Sequence, residues 1–379
     1  MRKHGRLLYV GLAASTAIVF ACDSSHNMLA PSTAMQSGPM SGTTSADGRR
    51  ALNGKHILIA DQFNNRVIEI NASGEIVWHF GLGPQDISAR SIIGTNDAER
   101  ISGDLTLMAG TGAPPGTEPL CPTGCADNRV MIVDHRGHIV WQYGQFGVTG
   151  SGPNQLNTPV QATFLPNGDV LITDQVNERI IEVTRHHDIV FQYGQTGVTG
   201  IGPGQLNNPN SAELLENGHI LISDENNNRA IEITRGGSIV ATFTGGGTFS
   251  GVAFASRLED GHTLITDSNN NRIVEVDAQD HIVWADTTNL QTGSNPNPLP
   301  TRAVRLANGT TLISDQFNHR VILVNHAKQI LAQYGTLNQP GFGTDDTKPG
   351  LNAPYDAKVI GDFTGLTPPR DHDDEGDDD

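Results

Sequence analysis

A ten-residue motif that recurs along the chain constrains its fold more than any other feature. The segment "DQFNNRVIEI" begins at Asp61, and "DQFNHRVILV" begins at Asp315. Related segments lie between them, and the motif aspartates are Asp61, Asp127, Asp174, Asp224, Asp267 and Asp315. From the second copy onward the spacing is 43 to 50 residues, and an insertion lengthens the first spacing to 66. A period of this length is typical of propeller blades built from four strands.

Each repeat is interpreted as four short strands. In the third copy these are "ATFLPNG", "DVLITDQ", "RIIEVT" and "IVFQYG". The second strand is almost wholly apolar, which is expected of a strand that is covered on both faces of its sheet. One repeat cannot bury such a strand alone, so neighbouring repeats must pack against each other.

The two ends of the repeat array favour a closed ring over an open stack. The first repeat begins at its second strand, near His56, and its missing first strand has a counterpart at the far end of the chain. There, "LNAPYDAKVI" (351–360) matches "LNTPVQATFL" (156–165). Pairing of this strand with the first repeat would remove the two exposed edges of a linear array. The sequence therefore predicts an all-β, six-bladed β-propeller in which the C-terminal strand completes the first blade.

The repeats resemble those of the NHL family. The segments "ISDQFNHRVILV" and "GQTGVTGIGPGQLNNP" carry the resemblance, which extends over residues 53–364. It implies a six-bladed propeller. The family includes membrane-tethered sensor domains, scaffolds and a few enzymes, so the resemblance does not select a function.

The N-terminal end predicts export. A basic start and a short apolar stretch indicate a signal peptide over residues 1–21, with an uncleaved anchor helix as the alternative. "VFAC" (19–22) resembles the lipobox of bacterial lipoproteins, which implies lipidation of Cys22 and a periplasmic or cell-surface location. Residues 22–52 are predicted to be the lipidated end and a flexible tether, and residues 365–379 a disordered acidic tail.

The net charge bears on the class of partner, and the cysteines bear on a disulfide. The formal net charge of −17 disfavours nucleic-acid binding. With Cys22 lipidated, Cys121 and Cys125 remain in an insertion that begins at Thr111. In an oxidising compartment their spacing favours a local disulfide over a metal pair or a redox site.

Residues that recur in every blade are interpreted as architecture, because a functional site normally occurs once. Asp61, Asn64, Arg66 and their counterparts are predicted to clamp the turn between the second and third strands. Three further sets receive the same structural interpretation. They are the glutamates Glu69, Glu182, Glu232 and Glu275, the tryptophans Trp78, Trp141 and Trp284, and the histidines His56, His219 and His262. The histidines lie on separate blades and are not expected to share a metal.

Variation among otherwise similar repeats is the signal used to place a site. The innermost strands share an alanine, and the residue before it differs from blade to blade: Asp97, Gln161, Ser211, Phe254, Arg302 and Asp356. These six residues are predicted to form a ligand-binding ring at the mouth of the central channel, with a hydrated ring without a ligand as the alternative.

Two functions fit these observations. The first is a monomeric, membrane-tethered binding or scaffold module for a protein or glycan, without a cofactor. The alternative is an extracytoplasmic lyase or hydrolase in which Asp97 and Asp356 hold a divalent cation, Ca²⁺ or Zn²⁺, at the channel mouth. The sequence contains no nucleophile–base pair of recognisable spacing, which favours the binding module.

Overall fold

The computed structural model describes residues 43–102, 104–342 and 350–369. The predicted signal peptide (1–21), Cys22, the tether up to residue 42 and the acidic tail from residue 370 lie outside the described residues. Within them, 24 strands form six four-stranded antiparallel sheets, which confirms the predicted six-bladed propeller. Among the helices of these residues, none combines the length and the apolar character that a membrane crossing requires.

The strands follow one another blade by blade. Blade 1 contains β1 (Ile57–Asp61), β2 (Arg66–Ile70) and β3 (Ile76–Phe80). Blade 2 contains β4 (Thr95–Ser102), β5 (Leu105–Ala113), β6 (Cys125–Val133) and β7 (Ile139–Gly144). Blade 3 contains β8 (Pro159–Phe164), β9 (Val170–Asp174), β10 (Arg179–Val183) and β11 (Ile189–Tyr193). Blade 4 contains β12 (Pro209–Leu214), β13 (Ile220–Asp224), β14 (Arg229–Ile233) and β15 (Ile239–Phe243).

The last two blades repeat this order. Blade 5 contains β16 (Val252–Arg257), β17 (Thr263–Asp267), β18 (Arg272–Val276) and β19 (Ile282–Thr287). Blade 6 contains β20 (Arg302–Arg305), β21 (Thr311–Asp315), β22 (Arg320–Val324) and β23 (Ile330–Gly335). The final strand, β24 (Pro354–Val359), pairs antiparallel with β1, with Ala357 opposite Ile59. The order of blade 1 is therefore β24-β1-β2-β3, so the C-terminal strand is its innermost one.

The hydrophobic core lies between adjacent blades. The second strand of a blade, such as β9 or β13, is buried at all five positions. One cluster joins Leu107 and Val130 of blade 2 to Val170 and Ile181 of blade 3. Each blade thus covers its neighbour, as the apolar second strands required.

The predicted turn clamp is present in every blade. In blade 1, Asp61 Oδ2 accepts hydrogen bonds from Arg66 Nε at 2.9 Å and from Asn64 Nδ2 at 2.8 Å. The counterpart ion pairs are Asp127–Arg129, Asp174–Arg179, Asp224–Arg229, Asp267–Arg272 and Asp315–Arg320. Because these aspartates are fully buried, each carboxylate depends on its arginine, and the motif is architectural.

A second repeated device joins each blade to the next. The residue just before the motif arginine has a positive φ, near 50–59°. Its side chain accepts a backbone N–H from the segment that enters the next blade. The acceptor–donor pairs are Asn65–Gly94, Asn128–Thr158, Glu178–Asn208, Asn228–Gly251, Asn271–Leu299 and His319–Ala353. We call these six hydrogen bonds the latches. The last one holds β24 and so closes the ring from blade 6 to blade 1.

The tryptophans also join blades. Trp78, Trp141 and Trp284 are each 7% exposed, and each Nε1 donates to a backbone carbonyl of the following blade. The carbonyls belong to His135, Arg185 and His326. The structural interpretation of the tryptophans is confirmed.

The segments at both ends of the described chain pack on the propeller. Residues 43–52, which the sequence analysis placed in the flexible tether, instead contact blade 6. Ser45 N donates to Leu331 O at 3.0 Å, and helix α1 (Ala46–Leu52) buries Leu52. At the other end, the chain continues past residue 364, where the sequence analysis ended the domain, and Thr367 is only 2% exposed.

Candidate functional site at the propeller axis

The six predicted site residues lie inside the ring rather than at an open mouth. Each precedes the alanine of an innermost strand, as the alignment of repeats required. None of the six is more than 2% exposed. The mouth position was therefore wrong, and the ligand-binding role of these residues stays a prediction.

An ion cluster fills this level of the axis. Lys358 Nζ lies 2.7 Å from Asp97 Oδ1 and 2.7 Å from Asp356 Oδ2. Arg302 Nε lies 2.8 Å from Asp356 Oδ1, and its guanidinium carbon lies 4.3 Å from the centre of the Phe254 ring. Although burial acts against the charged form, Lys358 and Arg302 hold the pKa of Asp356 below its usual value. The two carboxylates thus already have cationic partners from the chain itself.

Oxygens of the same two carboxylates also accept backbone hydrogen bonds from the next blade. Asp356 Oδ2 accepts the backbone N–H of Ala98 in the next blade, and Asp97 Oδ2 accepts that of Ala162, each at 3.2 Å. Gln161 Oε1 accepts the N–H of Ala212 at 2.6 Å. The residue types that looked like a ligand ring are therefore the hydrogen-bond acceptors that join blades 1 to 4.

The segment after β24 closes one end of the axis. Glu213 Oε2 accepts hydrogen bonds from Thr367 N at 2.9 Å and from Thr367 Oγ1 at 2.8 Å, and Glu213 Oε1 accepts one from Gln161 Nε2. Burial raises the pKa of Glu99, which lies at the same level, well above its usual value. A water-sized cavity of about 10 Å³ is lined there by Glu99, Lys358 and residues 359–363.

The surface residues at the opposite end of the axis differ from the six predicted site residues, which are buried. This end carries the motif turns and the connections between blades. Tyr355 of blade 1 reaches across the ring, and its hydroxyl lies 2.9 Å from Asn210 Nδ2 of blade 4. Tyr355 and Asn210 are 9% and 2% exposed, and they form the floor of the entrance.

Glu225 stands at the rim of this entrance. It is half-buried, and its Oε2 accepts hydrogen bonds from three amides: Asn210 Nδ2 at 2.8 Å, Asn208 Nδ2 at 3.4 Å and Gln175 Nε2 at 3.5 Å. Burial raises the pKa of Glu225 to about 7, although the amides of Asn210 and Asn208 favour the carboxylate. We call Gln175, Asn208, Asn210, Glu225 and Tyr355 the axial entrance.

A comparison of the motif turns could have identified Glu225 from the sequence. The position directly after the motif aspartate is Gln62, Gln175, Glu225, Ser268 or Gln316 in the five uninterrupted repeats. In blades 1 and 6 these glutamines bond to each other, with Gln316 Nε2 donating to Gln62 Oε1 at 2.8 Å. The repeat therefore prefers glutamine here, and blade 4 alone places a carboxylate.

One group of side chains outside the axis has the composition of a metal site. Donor atoms of Asp260, His262 and Glu275 in blade 5 lie within 4.8 Å of one another. Glu275 is already bonded to His262 Nδ1 at 2.7 Å and to Arg305 Nη2 of blade 6 at 2.9 Å. The same His–Glu–Arg arrangement recurs as His56–Glu69–Arg100 and His219–Glu232–Arg257. The repetition marks it as architecture, in agreement with the interpretation of these histidines.

The insertion in blade 2 forms the predicted disulfide between Cys121 and Cys125. It extends the β5–β6 hairpin at the same end as the axial entrance. Glu118 is 4% exposed, and its Oε2 accepts a hydrogen bond from Asn65 Nδ2 of blade 1 at 2.8 Å. The insertion is therefore held against the neighbouring blade.

Comparisons with known proteins support the fold alone. No family model matches the chain, and no curated protein matches it. A Bacteroides caccae protein of unknown function matches at 15% identity over 77% of this chain and 97% of its own, with a TM-score of 0.52. A virginiamycin B lyase from Staphylococcus aureus matches at 16% over 77% and 86%, with a TM-score of 0.47, and a streptogramin B lyase at 15% over 83% and 86%, with 0.49. The NHL-type assignment therefore stays a prediction.

Proposed function

We propose that this protein is an NHL-type, non-catalytic binding propeller, lipidated at Cys22 and held on the extracytoplasmic side of a bacterial membrane. Its partner would be a protein or glycan that contacts the end of the ring carrying the axial entrance. We call this end, with its blade-to-blade connections and the disulfide insertion, the loop face. The protein is proposed to act as a monomer.

The observation that carries the proposal is the closed interior of the ring. Asp97 and Asp356 are paired with Lys358 and Arg302, and the residues after β24 cover the far end of the axis. Burying an ion pair is costly unless its members are close partners, and here Lys358 Nζ lies 2.7 Å from both carboxylates. A ligand therefore has its best access at the loop face and not inside the ring.

The loop face also presents apolar side chains. Large hydrophobic residues are exposed in several of its separate loops: Leu82 (43%), Leu120 (46%), Val198 (42%), Ile201 (64%), Leu290 (80%) and Phe342 (57%). Apolar side chains at the surface, surrounded by polar ones, are typical of protein interaction sites. This composition favours a protein over a glycan as the partner.

The alternative is a lyase or hydrolase that holds a divalent cation between Asp97 and Asp356. The ammonium of Lys358 lies 2.7 Å from both carboxylates, where such a cation would have to bind. Metal analysis of the purified full-length protein tests this alternative. Stoichiometric, tightly held Ca²⁺ or Zn²⁺ that is lost in Asp97→Asn would favour the enzyme.

Site-specific photo-crosslinking in the native cells tests the binding function. A photoreactive side chain replaces Leu290 on the loop face, and the control replaces Val190 on β11, which is 56% exposed at the outer edge of blade 3. A discrete crosslinked product from position 290 that is absent from position 190 is expected. Equal products at both positions, or none at either, would argue against a loop-face partner. A lower mass of the product after glycosidase treatment identifies a glycan, and mass spectrometry of its tryptic peptides identifies a protein.

A further inference from the structure

We propose that Glu225 anchors an organic cation of the bound molecule, a primary ammonium such as that of a lysine side chain. This inference rests on the proposed function, because it assigns the chemistry of the group that enters the loop face. It is carried by the contacts of Glu225 and by the difference between blade 4 and the other blades.

The two carboxylate oxygens of Glu225 differ in the hydrogen bonds that they accept. All three amide donors bond to Oε2, and no described residue donates to Oε1. No lysine or arginine of the described chain forms an ion pair with this carboxylate, in contrast to Asp97, Asp356 and the six motif aspartates. Glu225 is thus a partly desolvated carboxylate that has no cationic partner within residues 43–102, 104–342 and 350–369, and its Oε1 can accept a strong hydrogen bond from a cation.

The groups around Glu225 favour an ammonium over a metal ion as its ligand. Calcium takes six to eight oxygen ligands. The amides around Glu225 turn their N–H groups toward the carboxylate, and Asn210 Oδ1 faces the hydroxyl of Tyr355 at 3.1 Å. The neighbouring side chains therefore offer hydrogen-bond donors to the carboxylate rather than oxygens to a metal. An ammonium needs only the carboxylate oxygen and hydrogen-bond acceptors of its own ligand or of water.

The protein itself contains an ammonium bound by carboxylates. At the axis, the ammonium of Lys358 bridges two buried carboxylates at 2.7 Å. Both carboxylates are architectural and already paired. Glu225 is the carboxylate at the entrance that stands where blades 1, 3 and 6 carry glutamine. A charge placed at one position of a repeat, without a cationic partner among the described residues, favours a partner from another molecule.

The test measures the binding of a lysine probe by NMR. Full-length protein carrying ¹⁵N-asparagine is titrated at pH 8 with Nα-acetyl-lysine methylamide, and the side-chain amide signal of Asn210 is followed. The uncharged probe Nα-acetyl-norleucine methylamide and calcium chloride are titrated in parallel. The variant is Glu225→Gln, and the matched control is Glu216→Gln, an exposed carboxylate of the same blade.

The lysine probe is expected to shift the Asn210 signal in the wild type and in Glu216→Gln. In Glu225→Gln its apparent affinity should fall about 10- to 100-fold, which is the range for losing a hydrogen bond to a charged group. The proposal is overturned by equal shifts with the norleucine probe, by unchanged affinity in Glu225→Gln, by saturable binding of Ca²⁺ alone, or by no shift with any probe. Failure of crosslinking at Leu290 with intact lysine binding would instead count against the proposed function.

Discussion

The latch between blades 6 and 1 predicts that acid weakens the propeller through one histidine. Five latches use asparagine or glutamate, and the sixth uses Nδ1 of His319 to accept the N–H of Ala353 at 3.0 Å. This bond requires Nδ1 to carry no proton. Burial lowers the pKa of His319 to about 4. In the folded protein the imidazole of His319 therefore stays neutral at pH values where the same imidazole is protonated in the unfolded chain.

The size of the effect follows from the two pKa values. Between pH 6.5 and pH 4 the unfolded chain binds one proton more at this position than the folded chain, so stability falls as the pH falls. The loss reaches about 2 kcal/mol at pH 5 and about 3 kcal/mol below pH 4, using ~1.4 kcal/mol per factor of ten in proton affinity. Above pH 6.5 His319 is mostly neutral in both states, so this loss of stability disappears.

The test variant is His319→Asn, which places here the residue that blades 1, 2, 4 and 5 already use in their latches. Asparagine accepts the same hydrogen bond and tolerates the positive φ of 54° at this position, but it does not titrate. The variant should match the wild type at pH 7.5 and exceed its free energy of unfolding by about 2 kcal/mol at pH 5. Urea unfolding followed by the fluorescence of the three buried tryptophans measures this difference.

His262 provides a control, because its protonation has the opposite effect on the free energy of unfolding. The hydrogen bond to Glu275 raises the pKa of His262, so protonation of His262 stabilises the folded chain at low pH. His262→Asn should therefore lose stability relative to the wild type as the pH falls toward 6.5 from above, and the loss should stay constant below pH 6.5. Parallel pH profiles for the wild type and His319→Asn between pH 6.5 and 4.5 would refute the role of His319.

Three further changes test the architecture by urea unfolding of the full-length protein. Lys358→Met should cost about 3–5 kcal/mol because it leaves buried carboxylates without their shared ammonium, and adding Asp356→Asn should recover part of that loss; an unchanged midpoint would contradict the ion cluster. Replacing Cys121 and Cys125 with serine should cost about 2 kcal/mol, because the bridge closes a short loop in the unfolded chain. Two reactive thiols in the oxidised wild-type protein would show that the bridge is not formed. Deleting residues 351–379 should abolish cooperative unfolding, whereas deleting 371–379 should change stability by less than about 0.5 kcal/mol.

The architecture could be predicted from the sequence because each of its contacts is repeated. The clamp of Asp61 and Arg66 occurs in every blade, so each copy supports the interpretation of the others. The pairing of β24 with β1 was visible because residues 351–360 match the start of blade 3. Repetition could not show what the variable residue before each alanine does. Asp97 and Asp356 were expected at a mouth, but side chains on an innermost strand point into the axis and are buried there.

The segment 43–52 shows a second limit of the sequence. Its composition is polar and rich in small residues, which favours a flexible tether. Its order depends on blade 6, where Leu331 O accepts hydrogen bonds from Ser45 N and Ser45 Oγ and the helix covers an outer edge. The composition of residues 43–52 does not indicate that they pack on the outer edge of blade 6. The helix itself is short, and tertiary packing decides whether it forms.

In this protein, the residues that stabilise the fold differ from the residue that we assign to binding. His319 and Lys358 hold neighbouring blades together, so changes at these positions alter the free energy of unfolding. In the described part of the chain, the side-chain hydrogen bonds of Glu225 come from amides at the axial entrance, and Gln175 shows that glutamine is compatible with the same turn in blade 3. Glu225→Gln should therefore leave the fold intact while it removes the one charge that we assign to the ligand. A loss of lysine binding in that variant could not be attributed to an unfolded ring.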